Sequence, residues 1–209
     1  MEAKEFAMAS TSGKLDIYNM ALGFVGTRTV ASPNERVPEA IQCELYWDTA
    51  RRAALRDYPY GFAQRRVLLA EKAMPDVYSG QWRFCYGVPD GALKIHAVHD
   101  GRNREPLPRP WKTMNADGGR IILSDVDEAM ADVTMDVEEV SLWDELFVMA
   151  MARKLASLIA VPLLKNNSGK VQELVQLYKM AIPQADGQDA SERASRMRPD
   201  AWLLSRETW

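Results

Sequence analysis

The sequence predicts an α+β protein in which an antiparallel helical bundle carries an inserted β-sheet or β-barrel-like domain and an extended C-terminal tail. Three observations lead to this prediction. Apolar residues recur at helical spacing before residue 58 and again after residue 140. Between these regions, short alternating segments are separated by turn-forming residues, as in β-strands. Beyond Pro183 the chain is polar until a last apolar group near residue 202.

The same changes of pattern divide the 209 residues into four parts. We expect N-terminal helices over 1–62, a β-rich insertion over 63–139, a C-terminal helix pair over 140–184 and an extended tail over 185–209. A hydrophobic content of 47% is sufficient for a core of useful size at this length. No apolar run approaches the roughly 20 residues that cross a bilayer, and residues 1–13 lack the pattern of a secretory signal. We therefore expect no membrane contact.

Two helices are predicted in the first part. Ser12 can cap a helix that runs to about Thr27, because apolar residues between them recur every three or four positions. A second helical pattern runs from Ala40, or from Pro38 as its first residue, to Asp57. Pro59 is expected to end it, because the residue before a proline disfavours the helical conformation.

Several strands are predicted in the insertion. Residues 66–73 fit a strand or a helix, whereas 82–88 and 93–98 are clearer strands joined by a Pro-Asp-Gly turn. Residues 111–123 predict a hairpin around a Gly-Gly pair, and 130–137 predict a further strand.

The C-terminal helix pair is predicted from residue 141. Apolar residues on more than one face of 141–160 indicate a central helix, which Pro162 is expected to end. A second amphipathic helix follows Gly169, and Pro183 is expected to break or kink it. Residues 184–199 are expected to be weakly ordered or to form a frayed extension of the helix.

The sequence contains no recognisable catalytic set. Ser-Gly-Lys occurs at 12–14 and 168–170, but neither copy has the earlier glycine of a phosphate-binding loop, so we interpret both as helix starts. His96 and His99 would point to opposite faces of a strand, which disfavours a shared metal. No G-x-S-x-G or C-x-x-C motif is present, and two cysteines suit a reducing cytoplasm. No catalytic residue, cofactor or metal is predicted.

Charge is unevenly distributed, although the net charge is only −3. Residues 121–152 contain nine acidic residues and no lysine or arginine. Such a run is typical of a solvated face, but two functional interpretations remain open. Asp125 and Asp127 could hold Mg²⁺ in a metal-dependent DNA-processing enzyme. Alternatively, the acidic face could line a channel and repel DNA. The basic counterpart is a group of five arginines around an aromatic corner: Arg51, Arg52, Arg56, Arg65 and Arg66.

The order of these motifs resembles the head-to-tail adaptors of tailed bacteriophages, called tail tubular protein A in short-tailed phages. The resemblance rests on a helix ending in ARRAAL (50–55), the corner DYPYGFA (57–63) and the strand and turn WRFCYGVP (82–89). Two helices after residue 141 complete the order, so that the resemblance covers roughly residues 14–184. Tyr60 stands where the family has tryptophan.

The resemblance implies a structural virion protein and not an enzyme. Such adaptors form a ring, usually of twelve copies, beneath the portal protein. They extend the DNA channel and dock the tail nozzle, tail tube or fibre proteins, while double-stranded DNA passes through without sequence-specific binding. The implied location is the virion neck, assembled in the host cytoplasm. An alternative within virion proteins is a tail-completion or stopper protein of a long-tailed phage.

Three groups of residues receive roles on this interpretation. Tyr60, Phe62 and Trp82 are expected to anchor the insertion. The five arginines are expected to meet the acidic segment of the next subunit, because ring contacts join two different patches; alternatively, they cover the helix end and favour its dipole. The acidic candidates are Asp125, Asp127 and Asp132. Docking on the portal or a neighbouring protomer is expected of Trp202, Leu203, Leu204 and Trp209, with folding back onto the protein's own core as the alternative.

Overall fold

The computed structural model describes residues 13–100, 108–116, 118–165 and 167–192, with side chains described as far as residue 182. Within these residues the protein is a mixed α and β structure with four α-helices and two antiparallel sheets. The predicted α+β class is therefore confirmed.

Helices α1 (Lys14–Val25) and α2 (Pro38–Asp57) occupy the predicted positions. Gly26 ends α1 in the left-handed region at φ 84°, where a glycine carries no steric penalty. Pro38 occupies the first turn of α2, where its missing N–H costs nothing. Both Ser-Gly-Lys segments lie at helix starts, since α1 begins at Lys14 and a later helix at Ser168. The residues at the cap positions are Gly13 and Asn167, whereas Ser12, the predicted cap of α1, lies outside the described residues.

Helix α3 (Glu145–Leu164) is the central helix, as predicted, and packs against α1, α2 and a following helix, α4 (Ser168–Glu192). The expectation that Pro162 ends it is wrong, because α3 continues for two residues beyond this proline. By length and composition α3 could cross a membrane, contrary to the sequence prediction, yet half of its apolar window is buried inside the protein. Such burial is typical of a core helix.

Helix α4 passes Pro183 without ending and continues to Glu192. Residues 185–192 are therefore helical. The helix does not break at Pro183, and an extension of the helix describes 185–192 better than the alternative of a weakly ordered segment. Trp202, Leu203, Leu204 and Trp209 lie outside the described residues, so their docking role stays a prediction.

In the described part of the chain between α2 and α3 there are seven strands. They are β1 (Gln64–Leu68), β2 (Glu71–Lys72), β3 (Phe84–Gly87), β4 (Ala92–His99), β5 (Trp111–Ala116), β6 (Gly119–Ser124) and β7 (Met130–Met135).

The strands divide between two sheets. The first sheet has the order β1-β7-β4, and the second has the order β2-β3-β6-β5. The predicted hairpin is confirmed, with Asn115 opposite Arg120. Residues 66–73 are extended and contribute to both sheets, which settles the choice between strand and helix. The turn at 89–91 joins β3 to β4, which belong to different sheets.

The two sheets pack face to face over their own apolar core. Tyr86 and Ile122 of the second sheet meet Val98, Ala131 and Val133 of the first. The helices enclose a separate and larger core, to which all four helices contribute. The chain thus contains a helical layer and a sheet layer, and the segment that follows α2 connects them.

Candidate interaction surface where the helices meet the sheets

A buried ion pair joins the end of α2 to the end of β7. The side chain of Arg51 is 3% exposed and that of Asp136 is 9% exposed. Arg51 Nε donates to Asp136 Oδ1 at 2.8 Å, and Nη2 donates to Asp136 Oδ2 at 3.1 Å. This two-point geometry matches the planar guanidinium to the carboxylate. Arg52 Nε donates to the same carboxylate at 2.8 Å.

Two further carboxylates complete the environment of Arg51. Its Nη1 donates to Asp48 Oδ1 at 2.6 Å and its Nη2 to Glu138 Oε1 at 3.2 Å. Burial alone would raise the pKa of Asp136, but hydrogen bonds from Arg51 and Arg52 outweigh burial and lower it. Likewise, burial would lower the pKa of Arg51, but Asp136 and Asp48 raise it. The pair therefore stays charged.

These contacts correct the expectation that Arg51 meets acidic residues of a neighbouring subunit, whereas the same expectation for Arg52 stays a prediction. Both arginines take carboxylate partners from their own chain. Arg51 is too deeply buried to reach another molecule, whereas Arg52 remains half exposed. The alternative, that the arginines cover the end of α2 and favour its dipole, does not describe Arg51 fully, because Asp136 and Glu138 beyond β7 also bind it.

A second ion pair lies across β1 and β7. Arg66 donates to Asp132 from Nε at 2.7 Å and from Nη2 at 3.1 Å, and the two residues are register partners. The hydrogen bond from Arg66 lowers the pKa of Asp132 in spite of partial burial. The buried His99 lies close to the same carboxylate, with Nε2 3.3 Å from Oδ2. This pair, too, was expected between subunits and occurs within one chain.

Arg56 and Arg65 are the remaining members of the arginine group. Both are exposed, and among the described residues neither has a carboxylate partner. The carbonyl oxygen of Arg56 accepts a hydrogen bond from Lys94 Nζ at 3.2 Å. Arg65 Nη1 donates to the carbonyl oxygens of Phe62 and Gln64, at 3.0 and 2.9 Å. These two arginines remain candidates for contact with another molecule.

Asp125 and Asp127 lie in the turn between β6 and β7. Asp125 Oδ1 accepts a hydrogen bond from the backbone N–H of Arg83 at 3.0 Å. Both carboxylates line a cavity of about 330 Å³ with Asp100 and Arg109. In the part of the chain that the structure describes, no group of three or more His, Cys, Asp or Glu residues is placed to hold a metal ion. The binding of Mg²⁺ by Asp125 and Asp127 therefore stays a prediction, and no cluster of ligands among the described residues supports it.

The aromatic corner packs into the helical core. Tyr60 is buried, and its ring lies 4.8 Å from that of Tyr58 and 4.9 Å from that of Phe147 on α3, both edge to face. Phe62 lies 5.2 Å from the same Phe147 ring. Tyr60 and Phe62 therefore attach the start of the insertion to the helices. Trp82 differs, since it packs on the back of the second sheet and not on the helices.

A polar contact that was not predicted from the sequence joins three helices. Tyr178 of α4 donates from its hydroxyl to Asp57 Oδ2 at 2.7 Å, and Lys154 of α3 lies 3.3 Å from the same oxygen. The Lys154 ammonium also lies 4.4 Å from the centre of the Tyr178 ring. Burial, followed by the bond to Asp57, raises the pKa of Tyr178. Tyr178 belongs to the apolar stripe of the last helix, but helical periodicity does not predict its contact with Asp57 and Lys154.

Apolar side chains also remain exposed on the helical layer. Ile41 and Leu45 are 54% and 66% exposed, and they are neighbours on one face of α2 because they lie four positions apart. Leu142, just before α3, is 57% exposed. The junction therefore combines internal ion pairs with two exposed arginines, Arg56 and Arg65, that have no carboxylate partner among the described residues, and α2 adds an exposed apolar pair.

A search against protein-family models and a search of curated proteins each found no match to this chain.

Proposed function

We propose that this protein is a head-to-tail adaptor of a tailed bacteriophage, which forms a ring of about twelve copies below the portal protein. In this role it extends the DNA channel and docks the next tail protein. The proposal includes the finer architecture, an antiparallel helical bundle with a barrel-like insertion. It rests on the sequence resemblance described above.

The observation that carries the proposal is the position of the resembling motifs. Residues 50–63 supply the most distinctive of them, and these residues form the junction between the helical layer and the sheets. At this junction Tyr60 packs against Phe147 at 4.9 Å, and Arg51 bonds Asp136 at 2.8 Å. Aromatic packing and a buried ion pair thus fix both the start and the end of the insertion. A neck protein that must transmit contacts between head and tail needs such a rigid connection.

The apolar pair Ile41 and Leu45 supports a role in assembly. Exposed apolar residues on a shared helix face are typical of surfaces that bind other proteins. Neither residue is needed for the cores described above, since both side chains are more than half exposed.

Co-expression with the portal protein of the same virus tests the proposal. Some adaptors stay monomeric until they meet the portal, so the two proteins must be examined together as well as apart. Native mass spectrometry and electron microscopy should show a complex in which many copies of this chain form a ring on the portal. Absence of any complex with the portal would contradict the adaptor function.

Binding and DNA-nicking assays distinguish the two alternative functions from the adaptor function. A stopper protein would bind the adaptor and not the portal itself. A metal-dependent DNA-processing enzyme would nick DNA in the presence of magnesium, and alanine at both Asp125 and Asp127 would abolish the nicking.

A further inference from the structure

A cavity of about 600 Å³ lies between the aromatic corner and the first sheet. Pro59 and Gly61 of the corner form one wall. The facing wall consists of polar and charged residues from β1, β4 and β7: Gln64, Arg65, Arg66, His96 and Asp132. We name this space the Arg65 cavity. Its volume is within the range of about 300–1,000 Å³ that is usual for ligand pockets.

The charge of the Arg65 cavity is positive overall. Among the described residues that line it, Asp132 is the one carboxylate, and both of its oxygens are bonded by Arg66. Because these two charges cancel, the charge of Arg65 remains. No carboxylate of the described residues pairs with Arg65. The cavity therefore presents an uncompensated cation.

Arg65 is held in place before any ligand arrives. Its Nη1 donates both hydrogens to backbone carbonyls, those of Phe62 and Gln64. A guanidinium has five N–H groups, so three remain for a ligand. A long side chain that is already fixed loses less conformational entropy on binding. The arrangement thus favours recognition by a guanidinium fork and not merely by a mobile charge.

Two other lining residues, Gln64 and His96, are equally well ordered. The hydroxyl of Thr134 is fully buried, and it links Gln64 Nε2 at 2.8 Å to His96 Nε2 at 2.7 Å. Gln64 and Thr134 are also register partners in the first sheet. This hydrogen-bonded row fixes the His96 imidazole in the cavity wall. The lining therefore offers a guanidinium fork beside a positioned imidazole.

We propose that the Arg65 cavity is a binding site for a phosphate-class oxyanion. A guanidinium fork matches the oxygen geometry of phosphate and donates two parallel hydrogen bonds to it. The phosphate comes either from a free inorganic or small-molecule phosphate or from the backbone of DNA. The site does not depend on the adaptor function, since every contact that forms it lies within one chain.

Titration of the full-length protein at low salt tests the site. Inorganic phosphate and pyrophosphate are added to the wild type, to Arg65→Gln and to the control Arg36→Gln. Arg36 is an exposed arginine just before α2 and outside the cavity, so both variants lose the same charge. Calorimetry should show saturable binding by the wild type and by Arg36→Gln. Binding to Arg65→Gln should be at least about tenfold weaker, as expected for a lost bidentate charged contact.

Nuclear magnetic resonance of the histidine rings supplies a second readout. The signals of His96 should shift on addition of pyrophosphate, in proportion to binding. The variant His96→Gln should also bind more weakly, which keeps the test valid if Arg65→Gln does not fold. Circular dichroism establishes folding for each variant. Lack of saturable binding by the wild type, or equal weakening in the Arg65 and Arg36 variants, would overturn the proposal.

A short DNA duplex distinguishes the two sources of phosphate. If duplex binding is lost in Arg65→Gln and pyrophosphate displaces the duplex, the site receives the DNA backbone. If the Arg65 variant affects pyrophosphate binding alone, the ligand is a small phosphate.

Discussion

Arg51 and Asp136 share two hydrogen bonds, of 2.8 and 3.1 Å, although they lie 85 positions apart in the chain. One stands on the last helix before the insertion, and the other directly follows its last strand. The desolvation of such a buried pair largely offsets its attraction, so the pair adds little net stability. Removal of only one residue of the pair is destabilising, because the remaining partner is still charged and buried.

Substitution of Arg51 should therefore be strongly destabilising. Arg51→Ala leaves the Asp136 carboxylate with Arg52 alone, and we expect a loss of about 3–5 kcal/mol in the free energy of unfolding. Urea unfolding followed by circular dichroism measures this loss. The matched control is Arg56→Ala on the exposed side of the same helix, which should change stability by less than about 0.5 kcal/mol. Similar losses in the two variants would show that the ion pair has no special role.

Stability should fall in acid because of Asp132 and Asp136. The folded protein lowers the pKa of both carboxyls, so the unfolded chain takes up these protons first, near pH 3.9. The resulting stabilisation is present above that pH and disappears as the pH falls through the lower pKa values of the folded state. We expect the unfolding free energy to decrease from about pH 5 downward.

The variant Asp132→Asn identifies the source of this acid sensitivity. It removes one of the two carboxyls, so its unfolding free energy should depend less steeply on pH over the same interval. Denaturant titrations at several pH values give the two slopes. If the unfolding free energies of the variant and the wild type change with pH at the same slope, Asp132 does not contribute to the acid sensitivity.

The two thiols should be inert in the folded protein. Burial, with smaller contributions from Glu39 and Glu44, raises the pKa of Cys43 to about 12. Burial also raises the pKa of Cys85. Because the thiolate is the reactive form, a colorimetric thiol reagent at pH 8 should modify neither residue at an appreciable rate. Both should react at once in denaturant, and rapid reaction in native buffer would contradict the buried positions.

Truncation in the aromatic corner should cost more than truncation at the other predicted anchor. Tyr60→Ala removes a ring that packs edge to face with both Tyr58 and Phe147, and we expect a loss of about 3–5 kcal/mol. Trp82→Ala removes a half-buried ring that contacts the smaller cluster behind the second sheet, so its cost should be lower. Thermal and chemical unfolding compare the two. An equal or larger cost at Trp82 would refute this ranking.

The apolar pair on α2 should matter for assembly and not for folding. The double variant Ile41→Glu and Leu45→Glu introduces charge on a helix face that is more than half exposed, so unfolding should change little. Formation of the complex with the portal should be lost or much reduced in native mass spectrometry. Arg36→Glu serves as a control of similar charge change on a nearby surface. Normal complex formation by the double variant would place the contact elsewhere.

Local signals in the sequence predicted the helix starts and several ends. Pro38 and Pro59 act through the backbone of one or two residues, so their effects can be predicted without knowledge of the fold. Pro162 and Pro183 were expected to interrupt α3 and α4, but both helices continue past them. A proline removes one N–H bond and disfavours helix by about 3 kcal/mol, but a helix that gains more elsewhere can continue past it.

Partners distant in sequence could not be predicted. Residues 66–73 fitted a strand or a helix because their conformation depends on pairing with β7, whose residues lie more than 60 positions away. The same holds for the arginines. Their abundance near the corner and the acidic run after residue 121 predicted pairing of opposite charges. Whether Arg51 and Arg66 meet carboxylates of their own chain or of a neighbour depends on the tertiary fold.

The insertion begins where Tyr60 packs on Phe147 and ends where Arg51 holds Asp136. The turn at 125–128 lies at the opposite end of β7 from Asp136. The strands of the insertion can therefore change in length or sequence during evolution while the helices keep their geometry. We expect related proteins to differ most in the turn at 125–128 and least at the residues that attach the insertion to the helices.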